Sequence, residues 1–256
     1  MFRITATNQK GGVGKTALSV DLARFAAKRK SNRVLFIDFD VQHNASDSLV
    51  DCEVLCDSSS LLTSDISNID LPDIAENSLY LARATNALAN ISSLNTVELI
   101  RQGETNLEHL SKFFDLVIMD TPPTLGVTLT VALSLSHKVF VPIEPETSSI
   151  TGAINVAVTL NNLKKKLNVP EMNMLGIVIN KMKNKPRQKQ NIETIKNHSV
   201  LGKMLIPNFV CDRDSIAESL TEHMDIRSIK KTAARKAVKE LNELNSYLLA
   251  QTSDTL

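Results

Sequence analysis

The stretch Lys10-Gly11-Gly12-Val13-Gly14-Lys15-Thr16-Ala17 decides the fold class of this chain, because it predicts a loop that binds a polyphosphate. A common phosphate-loop pattern carries one more glycine ahead of these residues, where this chain has Gln9. Glycines let successive backbone N–H groups turn toward an anion that a side chain would keep away. We therefore expect residues 11–17 to bind a nucleotide, Lys15 to neutralise its β- and γ-phosphate oxygens, and Thr16 to ligate Mg²⁺.

The residues on either side of the loop support this interpretation. Phe2 to Thr7 predict a short strand that runs into the loop, and Ala17 to Ala27 predict a helix that leaves it. A strand, a glycine-rich loop and a helix in that order form the arrangement that a phosphate-binding loop requires. A glycine-rich turn with an incidental lysine is the weaker alternative, because it leaves this agreement unexplained.

Length and composition predict one large domain with a full core. The chain has 256 residues, 43% of them hydrophobic, and a mean hydropathy of −0.05. No apolar run approaches the roughly 20 residues that span a bilayer, and a strand at the very start argues against a signal peptide. The three cysteines, an odd number, predict free thiols in a reducing cytoplasm. Cys52 and Cys56 lack a second Cys or His pair at zinc spacing, so a zinc site is a weak alternative.

Charge is segregated along the chain, although the net charge is only +1. Residues 34–160 contain four Lys or Arg against 17 Asp or Glu, whereas residues 161–240 contain 17 Lys or Arg against eight Asp or Glu. This asymmetry indicates either a surface for a polyanion on the C-terminal part or a set of ordinary solvated helix faces. Charge alone favours neither interpretation.

Near-continuous apolar runs predict buried parallel strands. Val34 to Ile37 end in Asp38 and Asp40, and Leu116 to Met119 end in Asp120. Strands alternating with helices predict a single-domain α/β fold over residues 1–256, with a mostly parallel twisted sheet and helices on both faces. Ligands bind beyond the carboxyl ends of such strands, so the loop and these aspartates are expected to meet there. Further strands are expected at 79–85, 138–142, 175–180 and 204–206, and a helix with loops over 45–75.

These motifs together resemble the ParA-type partition ATPases, which belong to the deviant Walker A family of P-loop NTPases. Residues 8–16 resemble its first motif, 38–44 its second (usually D-x-D-P-Q-G-N), and 115–123 its Walker B strand. Residues 141–146 resemble its switch-like segment, and Ile206-Pro207-Asn208 its late I-P-[RN] element. The chain departs from the pattern at Val41, where proline is usual, and at His43, where glycine is usual. Ala17 also stands where a threonine is common.

The resemblance implies a role for each matching residue. It implies that Lys10 reaches across an ATP-bound homodimer to the partner's nucleotide, as an arginine finger does elsewhere. It implies that Asp40 activates the attacking water, and that Asp38 and Asp120 reach Mg²⁺ through water. Capping of a following helix is the alternative for both of these aspartates. The resemblance further implies that Asn180 reads adenine and that Pro207 contacts the nucleotide.

The resemblance also implies DNA binding without sequence preference by the ATP-bound dimer, through phosphate contacts that weaken with salt. The basic residues of the C-terminal part are the candidates. They are Lys181, Lys183, Lys185, Arg187, Lys189, Lys203, Arg213, Lys230, Lys231, Arg235 and Lys236.

The function implied is therefore an ATPase of plasmid or chromosome partition that is nucleoid-associated and stimulated by a ParB-like centromere-binding partner. Its cofactors are ATP and Mg²⁺, and no membrane or N-terminal helix-turn-helix domain is expected. The alternative is a MinD-like ATPase that positions a membrane or cargo, although residues 247–256 make a poor membrane anchor because they contain no cation. A metabolic P-loop enzyme and a nucleotide switch without turnover are weaker alternatives.

Overall fold

A computed structural model describes residues 1–29, 31–68, 71, 73–167 and 173–252. The strands form one parallel sheet of seven in the order β3-β4-β2-β5-β1-β6-β7, which confirms the predicted fold class. Parallel pairing requires a crossover between strands, and helices supply it on both faces. The strands are β1 (Phe2–Ala6), β2 (Arg33–Asp38), β3 (Glu53–Asp57), β4 (Ser78–Arg83), β5 (Leu116–Asp120), β6 (Lys138–Ile143) and β7 (Asn173–Ile179).

Two apolar layers cover the two faces of the sheet. Along β2, Val34 and Phe36 pack into one layer, and Leu35 and Ile37 pack into the other. The first layer contains the apolar faces of α1 and α9, and the second contains those of α3 and α4. The helices are α1 (Lys15–Ala27), α2 (Asn44–Ser48), α3 (Ser60–Thr63), α4 (Thr96–Leu110), α5 (Val127–Ser134), α6 (Thr147–Leu167), α7 (Pro186–Asn197), α8 (Asp214–Thr221) and α9 (Thr232–Ala250).

Strand register brings the predicted motifs to one edge of the sheet. Asp38 at the end of β2 is aligned with Asp120 at the end of β5, and Asp120 is aligned with Ala6 at the end of β1. The glycine-rich loop follows β1 directly, and Asn180 follows β7. The carboxyl ends of four strands therefore surround the phosphate-binding loop.

Two segments differ from the sequence-based expectations. Residues 45–75 include an edge strand, β3, which had not been expected. The strand expected at 204–206 is instead a 3₁₀ turn over Leu201–Met204 with one bridge between Leu205 and Ile177 of β7. Gly176 of β7 explains the close approach, because a Cβ there would lie 2.5 Å from the carbonyl oxygen of Met204. Among the described residues, no helix is long and apolar enough to cross a bilayer.

Candidate nucleotide site

The phosphate-binding loop has the backbone shape that its glycines permit. Gly12 has φ = +76° and Gly14 has φ = +90°, which L side chains rarely adopt. Gly14 also caps α1, whose first residue is Lys15. A helix that begins at the end of such a loop directs its free N–H groups and its dipole toward a bound anion.

The residues that follow β7 hold this loop in place. Asn180 Nδ2 donates a hydrogen bond of 2.8 Å to the carbonyl oxygen of Val13, and Lys181 Nζ donates to the carbonyl oxygen of Gly12. A Cβ on Gly14 would lie 2.1 Å from Asn180 Nδ2. Asn180 thus positions the loop in this structure, and adenine reading by its amide stays a prediction. Lys181 lies beside the loop in this structure, and its contact with DNA stays a prediction.

Three aspartates lie at the predicted edge and are largely removed from solvent. Thr16 Oγ1 donates to Asp120 Oδ2 over 2.6 Å, so the predicted Mg²⁺ ligand is already oriented by the Walker B carboxylate. Asp38 accepts from the backbone N–H of Asp40 (3.0 Å) and from the hydroxyl of Ser46 (2.7 Å). These contacts fix the directions of the carboxylates before any ligand arrives.

Burial sets the electrostatics of this edge. Desolvation, with Asp38 nearby, raises the pKa of Asp120 to about 7, and desolvation also raises the pKa of Asp38. Burial lowers the pKa of Lys15, although Asp120 and Asp40 oppose that shift. Crowded, desolvated carboxylates beside a hydroxyl suit a hard cation that prefers oxygen. Among the described residues, no three acidic, His or Cys side chains group closely enough to hold a metal by themselves, so water-mediated contact with Mg²⁺ stays a prediction.

The second motif turns sharply after Asp40. His43 has φ = +46° and caps α2, a conformation that favours glycine. Its backbone N–H donates to the carbonyl oxygen of Asp40 over 2.8 Å. His43 therefore keeps the turn at the position where the related motif has glycine. Val41, which stands where the motif usually has proline, is 39% exposed.

A cavity of about 780 Å³ opens beside the loop and extends toward α8. Residues of the loop, Asp40 and Asn180, all predicted for the nucleotide site, line one part of it together with Lys181, which was predicted to bind DNA. Another part is lined by Cys211, Asp212, Arg213 and the α8 residues Ile216 and Ala217. Of these, only Arg213 is a candidate from the sequence, and there it is predicted to bind DNA. Pro207, predicted to contact the nucleotide, is exposed and lies outside the described lining. The volume suits a ligand of nucleotide size.

Lys10 lies at the front of the loop and is held by its own chain. Its backbone N–H donates to Asn8 Oδ1 (2.9 Å), and its ammonium lies 2.8 Å from Glu146 Oε2 of the switch-like segment. Asn191 Nδ2 of α7 donates to the carbonyl oxygen of Pro145 (3.0 Å). The switch-like segment therefore connects the loop to the helix that carries part of the basic run.

The predicted DNA-binding residues divide into paired and unpaired groups. Lys181 pairs with Glu144, Lys183 with Asp212, Arg213 with Glu240, and Lys231 with Glu218. Paired cations are partly neutralised and contribute less to a polyanion surface. Within the described chain, the others are exposed and have no ion pair: Lys185, Arg187, Lys189, Lys203, Lys230, Arg235 and Lys236.

Comparison with known proteins identifies the family of this chain. A family model described as an AAA domain matches residues 1–174. Protein IncC of Escherichia coli is 35% identical over 254 residues, which cover 98% of this chain and 70% of that protein. The chromosome-partitioning ATPase Soj of Thermus thermophilus is 32% identical over 188 residues, covering 69% of this chain and 68% of Soj. A putative plasmid partition protein of Borrelia burgdorferi, solved with AMPPNP, has the same fold (TM-score 0.74, 22% identity, 94% of this chain and 97% of that one).

Proposed function

The chain belongs to the ParA-type partition ATPases, and on that premise we propose a specific cycle. The protein binds Mg²⁺ and ATP, dimerises around the nucleotide, and in that state binds DNA without sequence preference. A ParB-like partner then stimulates hydrolysis and releases the DNA. The observation that carries the proposal is the convergence of Lys10, Lys15, Thr16, Asp40 and Asp120 on one edge of the sheet, beside a cavity of nucleotide size.

Each residue has a task in this proposal. The inward N–H groups of the loop bind the phosphates, and Lys15 neutralises charge on the β- and γ-phosphate oxygens. Thr16, oriented by Asp120, offers its hydroxyl oxygen to Mg²⁺, which when bound draws charge from the transferring phosphoryl group. Asp40 accepts a proton from the attacking water and directs that water at the γ-phosphorus. Lys10 leaves Glu146 and stabilises charge on the partner's nucleotide.

DNA binding in this proposal uses the exposed, unpaired cations of α7 and of the first turn of α9. A dimer presents twice as many of them to one duplex, which raises the affinity through effective concentration without any new contact. Phosphate contacts of this kind release counterions, so the affinity falls steeply with salt. ATP thereby controls DNA affinity through the oligomeric state.

Structure also bears on the alternative of a membrane-positioning ATPase. Leu248 and Leu249, the bulky residues near the end of the chain that a membrane anchor would use, are buried in the first core layer. A helix whose apolar side packs on α1 does not present that side to lipid. The apolar side of α9 is therefore not available to lipid in this structure.

The deciding experiment measures binding to a random-sequence duplex without nucleotide, with ADP, with ATP and with a slowly hydrolysed ATP analogue, at two salt concentrations. We expect binding only with ATP or the analogue, and weaker binding at the higher salt. A triple variant, Lys185→Ala with Arg187→Ala and Lys189→Ala, should bind weakly, whereas Lys112→Ala on the acidic half serves as the matched control. No binding in any nucleotide state would overturn the proposal.

A further inference from the structure

A second groove lies behind the second motif, on the other side of α2 from the nucleotide cavity. Its volume is about 470 Å³. The carboxyl end of β4, the residues after α2 and the start of β3 line it, with Leu49, Val50, Val54 and Leu81 as its apolar lining. Asp47 of α2 lines both the groove and the nucleotide cavity, so α2 is the wall between them.

Two valines of this groove are exposed to solvent, although they belong to a chain with a large core. Val50 is 64% exposed and Val54 is 46% exposed. β3 is an edge strand of the sheet, and the helical residues that border the groove come from the single turn of α2 and from Asn86, where a 3₁₀ helix (Asn86–Ser93) begins. Exposed apolar side chains that adjoin a groove and have a polar rim are typical of a surface that a partner covers.

The charge around the groove favours a basic occupant. Residues 41–57 contain Asp47, Asp51, Glu53 and Asp57 and no Lys or Arg. Arg24 pairs with Asp51 and Arg83 with Asp57, which leaves an excess of carboxylate. Complementary charge steers an approaching partner and fixes its register, so the groove suits a short segment that carries aliphatic and basic side chains.

The groove is connected to Asp38 and Asp40 by a short chain of hydrogen bonds. Ser46, which lines the groove, donates to Asp38 Oδ2 from its backbone N–H (2.9 Å) and its hydroxyl (2.7 Å). The same hydroxyl accepts from the backbone N–H of Ala84 (2.9 Å). His43, on the rim, donates from its backbone N–H to Asp40. An occupant that moves α2 therefore moves the groups that hold both aspartates.

We propose that this groove is the docking site for a basic, aliphatic segment of the partner that stimulates ATP hydrolysis. Binding there moves α2, and α2 repositions Asp38 and Asp40 for attack by water. The proposal rests on the function proposed above, since it assigns a place to the stimulating partner. A second copy of the chain is assigned to the Lys10 side of the loop, and α2 separates the groove from that nucleotide site.

The test uses the whole protein with ATP, Mg²⁺ and DNA, and two synthetic probes. One probe is an eight-residue peptide of alternating lysine and leucine, and the other has glutamate in place of lysine. Val50→Asp and Val54→Asp are the test variants, and Val97→Asp, at a valine of α4 that is 66% exposed, is the matched control. The readouts are ATP turnover, hydrogen exchange over residues 43–54 and 81–86, and sedimentation with ATP.

We expect the lysine peptide to slow exchange at the groove and to raise turnover in the wild type and in Val97→Asp. Either groove variant should require about tenfold more peptide, because a valine–leucine contact is lost and a carboxylate is introduced into an apolar contact. Basal turnover and ATP-dependent DNA binding should stay unchanged in both. The glutamate peptide should have no effect.

Three results would overturn the proposal. The lysine peptide could fail to protect the groove in the wild type, or it could act equally on the groove variants and the control. The groove variants could also lose the ATP dimer in sedimentation, which would make a second copy the occupant. Failure of the proposed function is distinguishable, because it removes ATP-dependent DNA binding from the wild type before any peptide is added.

Discussion

Lys10 Nζ lies 2.8 Å from Glu146 Oε2, within one chain. The family resemblance assigns this lysine to the nucleotide of a second copy, so the two contacts compete for one ammonium. The side chains are 39% and 50% exposed, and an exposed pair of this kind is screened by water and contributes little to stability. The contact is therefore weak enough to be replaced when a bound polyphosphate is offered instead.

Glu146→Gln removes the charge that holds Lys10. We expect the ATP dimer to form at a protein concentration about two- to fivefold lower, since a weak contact that competes for Lys10 is removed. Sedimentation with ATP measures this, with Glu108→Gln, at an exposed position of α4, as the control. Lys10→Ala should bind ATP normally yet lose partner-stimulated turnover. A weaker dimer in Glu146→Gln would mean that Glu146 itself contacts the second copy.

Asp40→Ala removes the proposed acceptor of the water proton. Turnover should fall by about 100-fold or more, in the range attributed to general base catalysis, whereas ATP binding should persist because the loop is intact. The variant should accumulate as an ATP dimer in sedimentation and stay bound to DNA. Normal turnover, or a variant that remains monomeric with ATP, would contradict this assignment.

Lys181→Ala separates the nucleotide role of this lysine from its predicted DNA role. The hydrogen bond from Lys181 Nζ to Gly12 predicts a KM for ATP about two- to tenfold higher in the variant, the range for one net hydrogen bond. The salt dependence of DNA binding should stay unchanged. Arg187→Ala should leave the KM for ATP unchanged and reduce the slope of log DNA affinity against log salt concentration by about one. If both variants reduced the salt dependence of DNA binding equally, Lys181 would be assigned to the DNA-binding surface.

The backbone at His43 predicts which substitutions the second motif accepts. His43→Gly relieves the positive φ and should change the free energy of unfolding by less than about 1 kcal/mol, since greater chain entropy of the unfolded state opposes the relief. His43→Val should lose about 1–2 kcal/mol, because a β-branched residue is strained there. Denaturant unfolding measures both. Equal stability of the valine variant would show that the turn relaxes without strain.

Acid should destabilise the protein through His137 at the start of β6. Burial and the neighbouring Arg3 lower the pKa of His137 to about 4. The folded protein thus keeps this side chain neutral. The part of the free energy of unfolding that depends on the neutral imidazole is fully present above the ordinary histidine pKa near 6.5. It is lost as the pH falls from about 6.5 to 4, by roughly 1–2 kcal/mol after solvent screening. Unfolding of His137→Gln between these pH values should show a smaller loss than the wild type does.

Sequence alone predicted the elements whose residues carry a strong pattern. β1, β2 and β5 are buried on both faces, and their apolar runs end in residues that the site uses. β3 was missed because Glu53–Asp57 is a short edge strand with an irregular register beside Val54, and its exposed positions follow no alternation. α5 was not identified either, since Val127–Ser134 is apolar around most of its circumference and shows no periodicity.

Sequence predicted the residues of the candidate site that belong to one short motif. The loop, Thr16 and the aspartates were expected together, and the sheet places them together. The part of the cavity that residues 211–217 line was not expected, because these residues belong to no nucleotide-binding motif. They reach the cavity only because the chain folds back after β7. The sequence also does not show which cations form ion pairs. Lys183, Arg213 and Lys231 were predicted to bind DNA, but each has an acidic partner in the fold.

The contact between Gly14 and Asn180 constrains how such a sequence can diverge. A single added carbon at position 14 would lie 2.1 Å from the Asn180 amide nitrogen. A smaller side chain at position 180 would relieve the contact, but the positive φ of Gly14 would still strain any L side chain there. Among descendants of this chain, position 14 should therefore stay glycine whatever residue occupies position 180. An asparagine at position 180, by contrast, requires glycine at position 14 for both reasons.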